Sequence, residues 1–119
     1  MYALDSVLAQ ALSTPGVRGV AVVDFVTGLT YAEAGDCTAA GSGAEVSAFA
    51  NLISDRLHDA GADGELENVV ITSRRAHHIL EVPTRRGDPV LMSAVLDREG
   101  TNLALTGRRI SEHARSLLG

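Results

Sequence analysis

Leu4, Val7, Leu8 and Ala11 recur at intervals of three and four residues, the spacing of one apolar stripe on a helix. They predict a first helix over residues 5–13, which Pro15-Gly16 ends. Residues 17–24 then read as a strand. Val17, Ala21 and Val23 point to one face and Val20 and Val22 to the other, so both faces are apolar and both must be covered. Gly28 supplies a turn, and residues 29–34 alternate more polar positions, the pattern of an edge strand. Residues 35–43, "GDCTAAGSG", read as a loop by composition.

A second helix is predicted over residues 44–60, with Gly61 as its stop. Its core stripe reads as Val46, Phe49, Ala50, Ile53 and Leu57. Ala48 and Leu52 fall on a different side, more than about 100° from the centre of that stripe. A helix needs such a second apolar side if it faces the sheet on one flank and another copy of the chain on the other. Three strands follow over residues 66–73, 76–82 and 89–96, and their short connections make them antiparallel neighbours. A last helix is predicted over residues 101–118, with Leu103, Gly107, Ile110, Ala114 and Leu117 on one face. Gly107 costs about 1 kcal/mol against alanine inside a helix, and close approach to Ala11 of the first helix would account for it. The order αββαβββα is an α+β layout with one antiparallel sheet. The 119 residues suit a single domain spanning 1–119.

The stretch "RRAHHILEV" concentrates the candidate chemistry. On a strand His77 and His78 point to opposite faces, so they cannot grip one metal ion together. No CxxC, HxxxH or HExxH spacing supplies further ligands, and no metal or other cofactor is expected. Arg74-Arg75 and Arg85-Arg86 fall in turns at opposite ends of that strand and read as solvated pairs. "DAGADG" places Asp59, Asp63 and Gly64 at calcium-loop positions, but Gly61 and Val70 stand where carboxylate ligands are required. The acidic run Asp55, Asp59, Asp63, Glu65 and Glu67 therefore reads first as a solvated edge and second as a patch for a basic partner. Cys37 has no neighbouring cation and reads as an unactivated thiol.

Charge narrows the function classes. The net charge is −5, which disfavours general nucleic-acid binding. All ten cations are arginine. Without lysine there is no P-loop and no Schiff-base chemistry. No GxSxG elbow is present, so no catalytic residues are expected and the chain reads as a non-enzyme. No apolar run approaches the roughly 18 residues of a membrane span, and no signal peptide is visible. With one cysteine, these features point to the cytoplasm.

Several strings carry a family resemblance. "LDSVLAQALSTPGVRGVAVVDFVTGLTYA", "AEVSAFANLI", "LENVVITS" and "LMSAVLDREGTNLAL" resemble the Roadblock family of dynein-light-chain-type domains, from about Leu4 to Ile110. The most specific pieces are PGVxGxxVVD followed by GL, and LDxxxxNLAL at the start of the last helix. The loop "DCTAAGSG" and the polar strand "RRAHHILEV" depart from the family pattern.

The resemblance implies a bacterial single-domain member with a Roadblock/profilin-like fold. Its five strands would run in order 2-1-5-4-3, with the second helix on one face and the first and last on the other. It implies a homodimer that pairs the second helix and third strand with their copies. The expected interface is Ala48, Leu52, Asp55, Asp59, Glu67, Val69 and Ile71. It also implies a non-enzymatic regulator or scaffold whose partner is a small Ras-like GTPase, with no nucleic-acid or membrane partner. Two other classes stay open: a small-ligand sensor of the profilin-like class, and a hydrolase with scattered catalytic residues.

Overall fold

Alternation along the strands sends apolar side chains to both faces of one sheet, and helices cover both. The computed structural model describes residues 4–62, 64–83 and 89–117. The elements are α1 (Leu4–Leu12), β1 (Val17–Asp24), β2 (Thr30–Gly35), α2 (Gly43–Asp59), β3 (Asn68–Thr72), β4 (Ala76–Glu81), β5 (Val90–Asp97) and α3 (Leu103–Ser116). The five strands are antiparallel in the order β2-β1-β5-β4-β3, as the resemblance implied. The loop expected over residues 35–43 is partly ordered as a 3₁₀ turn, Thr38–Ala40. No helix among the described residues is long and apolar enough to cross a membrane.

The larger core lies on one face. Val20 and Val22 of β1, Ile79 of β4 and Met92, Ala94 and Leu96 of β5 pack against Val7, Leu8 and Ala11 of α1 and Ile110 and Ala114 of α3. The other face carries a smaller cluster, in which Val46 and Ala50 of α2 meet Leu80 of β4 and Leu91 of β5. Ala21 and Val23 of β1 are buried as well, so the strand is apolar on both faces, but a register shift between Val17 and Gly19 puts Val17 against the Val20/Val22 core and not on the Ala21/Val23 face as expected. Gly19 is required where β1 and β2 meet, because a Cβ there would strike the backbone carbonyl of Asp36.

Local signals set the helix ends. Ser42 caps α2: its hydroxyl accepts from Glu45 N at 3.1 Å, and Ser42 N donates back to Glu45 Oε1 at 2.8 Å. Hydrogen bonding of Ser42 to the Glu45 carboxylate, its backbone N–H foremost and its side chain next, holds that carboxyl below its ordinary value. Gly61, with φ +80°, closes the other end. Gly61 N donates to His58 O and Ala62 N to Leu57 O, both at 3.0 Å, a Schellman closure. Asn102 caps α3 by accepting from Leu105 N at 3.1 Å, so that helix begins two residues later than the sequence suggested.

Two packing expectations are corrected. Gly107 does not approach Ala11. It lies over β4, where a Cβ would meet Ile79 Cδ1 at 3.7 Å, an ordinary contact. The buried line of α3 is Thr106, Ile110 and Ala114, with Leu103 and Leu117 only partly buried. The α2 helix also packs with a different face than its periodicity predicts.

Candidate functional site

The predicted core stripe of α2 is only partly right. Val46 and Ala50 are buried and Ile53 is half-buried, but Phe49 and Leu57 are each 41% exposed. The third buried residue is Ser47. The cause is the backbone carbonyl of Phe25, just beyond β1. Ser47 Oγ and Asn51 Nδ2 each donate to it at 2.7 Å. A carbonyl under a helix is costly without a donor, so the helix turns this polar pair inward and its apolar flank outward. Leu52 is 50% exposed, and Ala48, Asp55 and Asp59 are exposed on the same helix.

β3 completes this side of the molecule. It is an edge strand, shorter than the sequence reading, because Leu66, Glu67 and Ser73 lie outside it. Val69 and Ile71 are half-buried, and Val69 packs against the cluster beneath α2. Glu67 is exposed at the strand's entrance. Val70 points to the opposite face and is 49% exposed. Of the seven residues expected at an interface, Ala48, Leu52, Asp55 and Asp59 thus lie exposed on α2, Val69 and Ile71 lie half-buried in the edge strand, and Glu67 lies just before it. Phe49 and Leu57, which periodicity placed in the core, and Val70 of the edge strand are also exposed apolar side chains.

The histidines follow strand alternation. His77 is buried on the α1/α3 face, with Nδ1 2.8 Å from Thr72 Oγ1. His78 is half-buried on the α2 face, with Nε2 2.8 Å from Ser93 Oγ. Among the described residues no three His, Cys, Asp or Glu side chains gather as a metal group. Cys37 Sγ donates to Val20 O at 3.4 Å, and burial, followed by the Glu33 charge, pushes its thiol up, as an unactivated thiol requires.

Burial lowers the pKa of His78 below the ordinary 6.5. Between those two values the unfolded chain binds the proton that the folded chain refuses, so stability falls as pH drops through 6.5. His78→Gln should therefore lose less melting temperature than the wild type between about pH 7.5 and pH 5.5. Thermal melts across that range check it, and identical slopes for the two proteins would rule the account out.

At the end of the sheet that holds the β3–β4 turn, further arginines stand beside the Arg74-Arg75 pair. Arg18, Arg74, Arg75 and Arg98 line an open hollow of about 840 Å³ together with Asp97 and Glu99. Arg18 Nε lies 3.4 Å from Asp97 Oδ1, an exposed pair worth at most about 1 kcal/mol. Arg98 ties down the β3–β4 turn, donating from Nη1 to Ser73 O at 3.1 Å and from its backbone N to Arg75 O at 3.2 Å. Among the described residues Arg74 and Arg75 form no ion pair. Both are exposed, as expected of a solvated turn, and lie beside Arg18 and Arg98. The expected Arg85-Arg86 turn and Asp63 lie outside the described residues.

No family model matches the sequence, and no curated protein is significantly similar to it. Solved structures are similar in fold. MglB of Myxococcus xanthus superposes with a TM-score of 0.76 at 13% identity, over 98% of this chain and 92% of that one. A Roadblock/LC7 domain from Streptomyces avermitilis gives 0.76 at 16% identity, over 98% and 95%. The gliding protein MglB from Thermus thermophilus gives 0.72 at 18% identity, over 99% and 93%. The fold is Roadblock-type.

Proposed function

We propose that this chain is a non-enzymatic regulatory or scaffold module that works as a homodimer in the cytoplasm, with a small Ras-like GTPase as its partner. One observation carries the reading. The outward flank of α2, with Phe49 and Leu52, leaves large apolar side chains exposed on a small chain whose β3 edge is also open. Exposed apolar flanks and free strand edges are normally covered. A second copy covers both at once, because a two-fold interface applies the same surface to itself. The Roadblock resemblance of the sequence supports this assembly, and an MglB of the same fold has been solved in a tetrameric arrangement. The GTPase partner rests on that resemblance together with the missing phosphate-binding loop and lysine.

The purified chain alone should neither bind GTP at micromolar concentration nor hydrolyse it. A small GTPase encoded in the same genome should co-purify with it and change its nucleotide turnover when the two are mixed. Equilibrium binding of labelled GTP and single-turnover hydrolysis read both. Micromolar GTP binding by the chain itself overturns the non-enzymatic reading, and failure of every small GTPase of the host to associate overturns the partner.

A further inference from the structure

The backbone of β3 specifies how a second copy fits. Val82 N donates to Glu67 O at 2.8 Å, and Ser73 N to Ala76 O at 2.9 Å. The backbone groups of the odd-numbered residues of β3 therefore turn towards β4. In an antiparallel ladder the alternate residues turn away, so those of Asn68, Val70 and Thr72 face the open edge. A two-fold axis at Val70 sets Val70 opposite its own copy and Asn68 opposite Thr72 of the second copy. All three outward residues are then paired. An axis one residue to either side gives Asn68 or Thr72 a partner outside the strand. The same axis sets Val69 beside Ile71 of the second copy on the α2 face, and covers the exposed Val70 on the other face.

The charges beyond the strand ends fit that axis. Continuing the register past Thr72 brings the Arg74-Arg75 turn of each copy beside Glu65 and Glu67 of the other. All four are exposed, and among the described residues none is in an ion pair. The Arg98 bonds to Ser73 O and Arg75 O hold the cationic turn in place. Resting on the two-fold pairing proposed above, we infer that Arg74 and Arg75 meet Glu65 and Glu67 of a second copy, fixing the register of β3 against β3 and selecting this chain's own copy over other apolar edges. Opposed charge patches at a rim act mainly on specificity, because like charges set against each other are costly.

Charge reversal tests this. One variant carries Glu65→Arg and Glu67→Arg, and another carries Arg74→Glu and Arg75→Glu. Each alone sets like charges across the axis, and its dimer dissociation constant should rise about tenfold or more. Mixed together, the two restore both sets of opposite charges, and a heterodimer of near wild-type affinity should form. Sedimentation equilibrium gives the constants, and native mass spectrometry counts heterodimers against homodimers. The single reversals Glu65→Arg and Arg75→Glu, on exposed loop and turn, repeat the measurement with less perturbation, and thermal melts confirm that each variant folds. If the wild type dimerises and the reversals leave its constant unchanged, the register is wrong while the dimer stands. Folded variants that are weakened but do not pair with each other also overturn the facing charges. A monomeric wild type removes the dimer and the register together.

Discussion

Replacing Leu80 with alanine should lower the stability of the chain by roughly 3 kcal/mol and its melting temperature by something on the order of 10–20 °C. Leu80 is fully buried, at 0% exposure, beneath α2. Among the described residues, the cluster that holds α2 to the sheet has Val46, Ala50, Leu80 and Leu91 as its buried members. Ala50 is too small to fill the space that a lost isobutyl group leaves, so the cavity term adds to the lost transfer free energy. A leucine truncated at an exposed site gives the contrast: Leu105, 46% exposed on α3, should change stability by less than about 0.5 kcal/mol on replacement by alanine. Urea unfolding followed by circular dichroism, with all proteins at one concentration, measures both. A loss under about 1 kcal/mol at Leu80 would mean that α2 is not held by this cluster.

The same small cluster shows where sequence reading stops. The strands were legible because alternation is local: β1 carries its whole argument between Val17 and Asp24, and its observed bounds are those residues. The helices were legible for the same reason, to within a few residues at each end. The rotation of α2 was not. It depends on the Phe25 carbonyl, which lies 22 residues from Ser47 and 26 from Asn51. A hydrophobic period ranks the faces of a helix by their apolar content. It cannot see a distant carbonyl that needs two donors. Ser47 and Asn51, spaced i and i+4 on one side, were the available signal, and it became readable only once β1 was placed beneath them. Arg18 and Arg98 meet Arg74 and Arg75 because the start of β1, the end of β5 and the β3–β4 turn share one end of the sheet. That proximity is set by strand order and not by spacing along the chain. Gly107 failed differently. A helical glycine invites a close-packing explanation, yet a methyl group fits there, and the structure supplies no steric reason for it.

The rotation of α2 sets the second large effect. Leu52→Asp should convert the dimer to monomer, raising the dissociation constant by at least about a hundredfold, which corresponds to roughly 2.7 kcal/mol. In the isolated chain Leu52 is 50% exposed, so an aspartate there stays in water and costs the fold little beyond helix propensity, about 0.5 kcal/mol. In the two-fold pair the second copy covers it. A carboxylate taken out of water without a partner costs several kcal/mol, and symmetry applies that cost twice. Asp55 and Asp59, exposed on the same helix, supply repulsion in place of a counter-charge. The control needs an exposed position on the opposite side of the sheet. Arg98 is unsuitable, because its side chain braces Ser73 O beside the edge strand. Arg109, exposed on α3, is suitable, and Arg109→Asp should leave the dimer intact. Multi-angle light scattering at tens of micromolar reads both variants, with thermal melts showing that Leu52→Asp remains folded. A Leu52→Asp protein that keeps the mass of a dimer would exclude α2 from the interface, whatever holds the two copies together.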